Sequence, residues 1–382
     1  MKRKGLALLM LMFVVLINTT GCEMQFLQNS NAMIKKPDQK QVSKKSNLVN
    51  TNLKDKESTY EDKEQLQKNI RELLFSKNVS GSVLVAKDNQ VIFSEGIGYA
   101  NKEKKLLNDA STTYPIGSIS KLFLATSIMR LQEEKKLNIE DPVLKYIPNF
   151  PNGSKIKLYH LMTHTSGIQA LHWHKGDVTP LNLIQEIEKG PIKFQPGTKW
   201  DYLDANYIVL GYILEKVTGT SLHDFIQKNI LDQVPMLHTG FMTHEHPAPF
   251  TSIGYIMKNG EVEPVKFMNV YHLFACGDIY STPYDMSLFD RALLNGKLVS
   301  KSSVEQMLTP GYNRKYGLGL YYNKSAAYSL GVVGGWYTMH AYFNDQTSVV
   351  VFLNEKDKIT QIDSVVFQIY QMVKDYSEQQ KK

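Results

Sequence analysis

An apolar run that begins just after Ser118 most constrains how this chain can fold. It predicts a helix that is buried on nearly every side in its first half, and therefore lies in the middle of a core. The preceding residues 114–117 contain Pro115 and Gly117, which favour a turn. The sequence thus predicts a turn that leads Ser118 into a buried helix, whose apolar residues are Leu122, Phe123, Leu124, Ala125, Ile128, Met129 and Leu131.

Ser118 and Lys121 are three residues apart at this predicted helix start. Positions i and i+3 lie on one helix face, so the two side chains can touch. A lysine amine can take the proton of a serine hydroxyl and make it a nucleophile, and the Ser118 N–H would be an unpaired donor for an oxyanion. A chance lysine in a core helix is the alternative. A second Ser-x-x-Lys at Ser154 has no apolar helix behind it, and we interpret it as an exposed loop.

Composition fits a folded protein with a sizeable core. The chain has 382 residues, a length that suffices for one large domain or two closely packed domains. Of these residues 42% are hydrophobic and 21% are charged, which is ordinary for a folded soluble protein. The formal net charge of +7 suits a negatively charged cell surface or a polyanionic polymer. We find no basic and aromatic pattern that argues for nucleic acid as a partner.

The N-terminus has the pattern of a targeting segment. Basic residues at positions 2–4 precede an apolar run at positions 6–17, which is too short to span a bilayer comfortably. Thr20-Gly21-Cys22 follows and resembles a bacterial lipoprotein box. We therefore expect residues 1–22 to be a lipoprotein signal peptide, Cys22 to be lipidated, and the protein to lie on the extracellular face of the cell membrane. Plain secretion and an uncleaved anchor are the alternatives.

Hydrophobic patterning predicts an α+β fold. Residues 23–59 are too polar to bury much surface and are expected to form a flexible tether, with the folded domain at 60–382. A helix at 61–77 and a hairpin at 82–94 come first, then a mostly helical block at about 115–310. Strands at 316–322, 326–332, 336–343 and 348–353 and a helix at 359–376 end the chain. The order predicts an antiparallel sheet, flanked by the terminal helices, with a large helical domain inserted.

From about Tyr60 onward the chain resembles the serine β-lactamase and penicillin-binding-protein superfamily, in its class C β-lactamase, esterase and D,D-peptidase branch. Several motifs together carry this resemblance: Ser118-x-x-Lys121, Asp141-Pro142-Val143, Tyr146-Ile147-Pro148, Leu161-Met162-Thr163-His164-Thr165-Ser166-Gly167, Pro196-Gly197-Thr198, Tyr202-x-Asp204-x-Asn206-Tyr207, Val217-Thr218-Gly219 and Ser281-Thr282-Pro283-Tyr284-Asp285-Met286. The resemblance implies a class C β-lactamase-like fold and catalysis by Ser118 and Lys121.

The second motif of the superfamily, Tyr-x-Asn, is Tyr202-Leu203-Asp204 here. The resemblance places Tyr202 beside Lys121, where it would share the proton work, and the pattern is similar to that of D-alanyl esterases acting on teichoic acids. An ionised carboxylate only accepts hydrogen bonds, whereas an amide also donates. Asp204 near Ser118 would attract a cationic substrate and hold Lys121 protonated. The alternatives are a packing aromatic for Tyr202 and a helix N-cap for Asp204.

The third motif of the superfamily carries a cation, a hydroxyl residue and glycine. Aligned on Gly335-Trp336, it falls on Ser329-Leu330-Gly331, so the cation and the hydroxyl are missing. The resemblance makes Ser329, Gly331 and Trp336 substrate-binding residues and the Val332 N–H the second oxyanion donor. Losing the groups that bind a terminal carboxylate should cost about 1.5–3 kcal/mol per charged hydrogen bond.

These features favour a cell-envelope serine hydrolase that forms an acyl-enzyme at Ser118 and acts as a D-alanyl esterase on teichoic acids. A D-alanyl ester or another D-Ala-containing envelope polymer is the expected partner, and no metal or cofactor is needed. A D,D-carboxypeptidase, a penicillin-binding protein or a weak β-lactamase is one alternative. A non-catalytic envelope-binding lipoprotein is another.

The remaining histidines and cysteine receive no catalytic role. His244-Glu245-His246, His172 and His174 read as solvated loop residues. His164 is expected to support a loop, and His340 to be a satisfied core or edge residue. Cys276, which has no partner once Cys22 is set aside, is expected to be a small buried residue.

Overall fold

The computed structural model of the protein describes residues 52–171, 178–266, 270–312, 315–355 and 361–381, with the side chains of residues 52–60 left out of account. Cys22, the signal peptide, most of the tether, His172 and His174 lie outside the described residues. The helices are α1 (Asn52–Ser76), α2 (Ser120–Glu133), α3 (Leu158–Met162), α4 (Pro180–Lys189), α5 (Asp204–Thr218), α6 (Leu222–Asn229), α7 (Pro283–Leu294), α8 (Lys301–Leu308) and α9 (Ile362–Gln379).

The main sheet has the strand order β10-β11-β12-β13-β1-β2, and each neighbouring pair is antiparallel. The short strands β5, β9 and β6 form a second sheet, β3 pairs with β4, and the β7–β8 hairpin joins the main sheet by a parallel contact with β13. The strands are β1 (Ser80–Lys87), β2 (Gln90–Ile97), β3 (Tyr99–Asn101), β4 (Leu106–Leu107), β5 (Tyr114–Pro115), β6 (Gly240–Phe241), β7 (Tyr255–Lys258), β8 (Glu261–Pro264), β9 (Ile279–Ser281), β10 (Tyr321–Tyr322), β11 (Ala326–Val333), β12 (Trp336–Phe343) and β13 (Thr347–Glu355).

Side-chain alternation along β13 connects two cores. Val349, Val351 and Leu353 pack with α1 and α9 on one face of the sheet. Val350 and Phe352 point to the other face and join the core of the helical block. Successive residues of a strand point to opposite faces, so a strand buried on both sides must be apolar throughout. The main sheet therefore lies between the terminal helices and the inserted block.

The predicted architecture is confirmed. Helices α2 to α8 all fall between residues 115 and 310, and α1 and α9 lie before and after the sheet strands in the chain. The predicted hairpin at 82–94 corresponds to β1 and β2, and the predicted strands at 326–332, 336–343 and 348–353 correspond to β11, β12 and β13. The inserted block is not purely helical, because β5 to β9 lie inside it.

Two predicted boundaries differ from the structure. The strand expected at 316–322 is reduced to β10, because the chain turns at Gly319 (φ +89°) and Tyr316 bridges back to Tyr321. Glycine readily adopts such a backbone, and the turn ends the extended segment. The first helix begins at Asn52 rather than near position 60. Lysine and glutamate are good helix formers, so helix can continue outward from the part that packs on the sheet. Within the described ranges, no helix is long and apolar enough to cross a membrane.

Candidate active site

The backbone delivers Ser118 from a tight turn into α2. Gly117 has φ +52°, a conformation that glycine adopts easily, and it opens a 3₁₀ turn at Gly117–Ile119 that runs directly into α2. The first ten residues of α2 are all buried, as the apolar run predicts. The predicted turn and buried helix are therefore both present, and Ser118 is the partly exposed residue between them.

Lys121 is fully buried and its Nζ has three acceptors. It lies 2.9 Å from Ser118 Oγ, 2.9 Å from the Cys276 carbonyl oxygen and 2.8 Å from Asp204 Oδ1. An ammonium has three N–H donors and no lone pair, so this set satisfies its hydrogen-bonding capacity. A buried lysine without such partners would be strongly unfavourable. The structure thus brings Ser118, Lys121 and Asp204 together.

The charge state of Lys121 follows from a balance of two effects. Burial by itself lowers the pKa of its amine, but the nearby Asp204 carboxylate acts in the opposite direction and prevails. The pKa of Lys121 is therefore raised above its usual value, and the resting site holds an ammonium. The exchange of Asn for Asp in the second motif thus favours a protonated Lys121.

Tyr202 lies beside Lys121, and it is the face of its ring that the Lys121 ammonium contacts. The Lys121 Nζ is 5.1 Å from the centroid of the Tyr202 ring and 5.8 Å from that of Tyr207. Such contacts compensate part of the cost of burying the ammonium. The position agrees with the placement that the resemblance implies, and the role of Tyr202 in proton transfer remains a prediction.

Asp204 is the first residue of α5, directly after the N-cap residue Leu203. It is therefore not the N-cap that the sequence offered as an alternative. An acidic residue in the first turn is favourable to the helix, yet its carboxylate pairs with Lys121. The side chain is 52% exposed, whereas Lys121 is completely buried. A carboxylate oxygen is thus open to solvent directly beside the Ser118–Lys121 pair.

Strand β11 approaches the Ser118 turn from the other side. The two-residue loop Gly334-Gly335 joins β11 to β12, so Val333 and Trp336 form the hydrogen-bonded closing pair. The next residue back, Val332, then directs its N–H away from β12. A Cβ built on Gly117 would lie 2.9 Å from the Val332 nitrogen. The Val332 N–H therefore faces the Ser118 turn, as its predicted oxyanion role requires.

Gly331 allows β11 to come this close. A Cβ at position 331 would lie 1.8 Å from the carbonyl oxygen of Ile116, which also accepts a 3.0 Å hydrogen bond from Thr338 Oγ1. No side chain can occupy that space without moving the backbone. The predicted substrate-binding role of Gly331 is therefore indirect in this structure: it holds the strand against the nucleophile turn.

Replacing Gly331 with alanine should destabilise the protein by about 1–3 kcal/mol, since an added methyl group in a filled space forces backbone shifts. Urea unfolding followed by tryptophan fluorescence measures the change. Ser329→Ala is the matched control on the same strand. Removing its unpartnered hydroxyl should change stability little. Equal stabilities of Gly331→Ala and the wild type would contradict the close approach.

Two predicted substrate-binding side chains are buried. Trp336 is 2% exposed, and its indole N–H donates to Ser252 Oγ at 2.9 Å while its ring packs on Phe250. Ser329 is 4% exposed, and its Oγ has no hydrogen-bond partner within the described ranges. In this structure neither side chain presents an exposed surface to a substrate, and their binding role stays a prediction. Ser329 on β11 and Trp336 on β12 both lie in the core, where a small hydroxyl and an indole fill space.

Comparison with known proteins agrees with this geometry. Residues 66–363 match the Beta-lactamase family. The chain belongs to the Beta-lactamase family. It is 34% identical over 343 residues to the putative penicillin-binding protein PbpX of Bacillus subtilis, covering 89% of this chain and 85% of that one. It is 30% identical over 302 residues to the teichoic acid D-alanine hydrolase of Staphylococcus aureus, covering 78% and 76%.

A solved structure shares the fold. The crystal structure of FmtA from Staphylococcus aureus superposes with a TM-score of 0.75 and 28% identity, covering 82% of this chain and 90% of that one. The predicted membership in the β-lactamase and penicillin-binding-protein superfamily is confirmed. As a member of the Beta-lactamase family with hydrolase relatives, the protein is a serine hydrolase of the acyl-transfer type.

The sequence did not reveal the Cys276 carbonyl as a ligand of Lys121. Cys276 is buried, as expected, but its functional atom belongs to the backbone. The preceding Ala275 has φ +64°, and its N–H donates to Asp278, which in turn binds His223 at 2.8 Å. A backbone acceptor has no side-chain signature. The positive φ of Ala275 marks the loop that presents this carbonyl, and no sequence pattern predicts it.

Of the histidines that the sequence analysis set aside and the structure describes, only His164 contacts the residues of the site. His244 and His246 are exposed, and the described residues contain no group of three or more side chains that could hold a metal ion. His340 is buried and pairs through Nδ1 with Asp290 at 2.8 Å. His164 lies directly against Tyr202, with ring centroids 4.1 Å apart.

Proposed function

We propose that the protein is an esterase that removes D-alanine from teichoic acids through an acyl-enzyme at Ser118. The observation that carries this proposal is the half-exposed Asp204 carboxylate, 2.8 Å from Lys121 and therefore next to the Ser118 hydroxyl. A D-alanyl ester presents a free ammonium near its carbonyl, and a carboxylate is a strong acceptor for such a group. The similarity to the teichoic acid D-alanine hydrolase supports the same substrate.

The groups around Ser118 argue against a substrate with a free terminal carboxylate. The third motif carries Ser329-Leu330-Gly331 in place of a cation and a hydroxyl, and the Ser329 side chain is buried. Asp204 adds a negative charge to this region. Like charges at close range are unfavourable. The end of a D-Ala-D-Ala peptide is an acid, whereas the leaving side of a teichoic acid ester is an alcohol.

The proposed reaction uses the chain's own groups. Lys121 and Tyr202 act as a unit to accept the Ser118 proton, and Ser118 Oγ attacks the ester carbonyl. The N–H groups of Ser118 and Val332 stabilise the oxyanion. The carbon–oxygen bond to the polymer then breaks, the polymer alcohol takes a proton, and water hydrolyses the D-alanyl ester of Ser118.

The location that we propose is the outer face of the cell membrane. Thr20-Gly21-Cys22 supports lipidation at Cys22, and the net charge of +7 suits an anionic envelope. A lipid-anchored hydrolase there would meet teichoic acid directly. Metabolic labelling with a palmitate analogue and a Cys22→Ala control tests the anchor separately from the activity.

Mass-spectrometric detection of D-alanine released from purified teichoic acid tests the activity. We expect release by the wild type and none above background by Ser118→Ala. Ser154→Ala is the matched control, because Ser154 belongs to the exposed Ser-x-x-Lys copy. This variant should retain full activity. Wild-type release no greater than that of Ser118→Ala would exclude the proposed function.

Two further measurements separate the competing functions. Rapid, saturable labelling of Ser118 by fluorescent penicillin would favour a D,D-carboxypeptidase or penicillin-binding protein, a possibility supported by the 34% identity to the putative penicillin-binding protein PbpX. If the wild type hydrolyses a p-nitrophenyl ester no faster than Ser118→Ala, the result would favour a non-catalytic binding protein.

A further inference from the structure

His164 makes several contacts to the segment that carries the second motif. It is completely buried and follows α3 with φ +57°. Its Nδ1 accepts a 3.2 Å hydrogen bond from the Leu203 N–H, the residue between Tyr202 and Asp204. The Nδ1 also lies 3.1 Å from Asn206 Nδ2. One ring nitrogen therefore binds the backbone of the motif and the first turn of α5.

The same histidine contacts the segment at two further points. Its backbone carbonyl accepts the Asp201 N–H at 2.9 Å, and its ring packs against the Tyr202 ring at 4.1 Å with the planes 32° apart. A non-glycine residue at positive φ costs free energy, so the surrounding structure must hold it there. These contacts all converge on residues 201–206, on both sides of Asp204.

We infer that His164 is a positioning residue, which sets the placement of Tyr202 and Asp204 against Lys121 through the hydrogen bond from the Leu203 N–H to its Nδ1. This inference rests on the proposed roles of Ser118, Tyr202 and Asp204 in the ester reaction. His164 itself does not contact Ser118 in any described interaction. It would act on the rate by holding the two groups that adjust the charge and orientation of the Lys121 amine.

The protonation state of the ring follows from its contacts. Because Nδ1 accepts from backbone and amide N–H donors, the proton of the neutral ring belongs on Nε2. The Nε2 atom has no hydrogen-bond partner within the described ranges, and it lies among aromatic rings: the Tyr316 centroid is 5.1 Å and the Tyr207 centroid 5.3 Å from that of His164. An N–H can interact favourably with an aromatic face. Burial and the Lys121 charge keep the pKa of His164 well below its usual range.

Three substitutions separate the acceptor from the ring. Asn tolerates positive φ, and its Oδ1 can replace the Nδ1 acceptor. Phe keeps a stacked ring without an acceptor, and Gly keeps the backbone conformation with neither. The assay is hydrolysis of an uncharged p-nitrophenyl ester, with active enzyme counted by a serine-reactive phosphonate. This readout requires no teichoic acid, so it is independent of the natural substrate.

We expect His164→Gly and His164→Phe to lower kcat per active site by about 10- to 100-fold with little change in KM, and His164→Asn to stay within about threefold of the wild type. Val366→Ala, a buried change on the opposite face of the sheet, should destabilise the protein without changing kcat per active site. A His164→Gly variant with wild-type kcat, or a His164→Asn variant as slow as His164→Gly, would overturn the inference.

A measurement on the wild type does not depend on the folding of any variant. Nitrogen-15 NMR should show His164 as a neutral ring protonated at Nε2 from pH 8 down to pH 5. A ring protonated at Nδ1, or one that titrates near its usual pKa, would also overturn the inference. If teichoic acid releases no D-alanine while these ester and NMR results hold, the substrate proposal fails and the positioning role stands.

Discussion

Replacing Lys121 with methionine is expected to lower kcat on a simple ester by about 10²- to 10⁴-fold, the usual contribution of a positioned acid–base group. Methionine fills the buried volume, but it cannot bind Ser118 Oγ, Asp204 and the Cys276 carbonyl together. The Asp204 carboxylate is 52% exposed, so water can solvate it after the partner is lost. The fold should therefore survive. Steady-state kinetics per active site and circular dichroism measure the two effects.

Lys155→Met is the matched control for this experiment. Lys155 is an exposed lysine inside the second Ser-x-x-Lys copy, so its loss removes a positive charge without reaching the site. We expect it to leave kcat unchanged. A Lys121→Met variant that retains kcat within threefold of the wild type would show that the amine takes no part in activating Ser118.

Changing Asp204 to asparagine is expected to reverse the substrate preference. An amide cannot offer the ammonium of a D-alanyl ester a charged acceptor, and the lost charged hydrogen bond should raise KM by about 10- to 100-fold. An uncharged ester of the same alcohol should not show this rise in KM. Labelling by fluorescent penicillin, whose carboxylate is repelled by Asp204, should become faster. Competition between the two esters measures the preference directly.

The same substitution should shift the pH dependence. Asp204 raises the pKa of Lys121, and burial opposes it. Without the carboxylate, its raising effect is lost and the pKa of Lys121 falls. If the neutral amine takes part in accepting the Ser118 proton, activity on an uncharged ester rises as pH increases through the pKa of Lys121. This rising limb of the pH–activity profile should therefore move to lower pH in Asp204→Asn. Asp201→Asn, which loses a carboxylate paired with Lys193 in the same segment, should leave the limb in place.

The sequence predicted the catalytic pair because two independent patterns agree there. An i, i+3 spacing brings Ser118 and Lys121 onto one face, and the apolar run that follows makes the helix a buried one. The β11–β12 hairpin was equally predictable, since alternating apolar residues on both sides of Gly334-Gly335 favour strands joined by a tight loop. Local patterns therefore suffice wherever local structure determines the geometry.

The sequence was less informative about features that depend on packing between residues distant in the chain. A position in the third motif indicates which strand residue approaches Ser118, but not whether its side chain faces the cleft or the core. Ser329 and Trp336 turned out to face the core. The Cys276 carbonyl depends on a loop held at positive φ by Asp278, a contact that no spacing rule describes.

The nucleophile turn is completed by residues far along the chain. Thr338 Oγ1 reaches the Ile116 carbonyl across 222 positions, and Gly331 lies against the same atom. A chain is synthesised from its N-terminus, so Ser118 and Lys121 emerge long before β11. A partly made chain holds the hydroxyl and the amine but lacks Val332, the proposed second oxyanion donor. If the Val332 N–H is the second oxyanion donor, as we propose, hydrolysis should begin only after β11 has docked, and product formation during refolding should report that step.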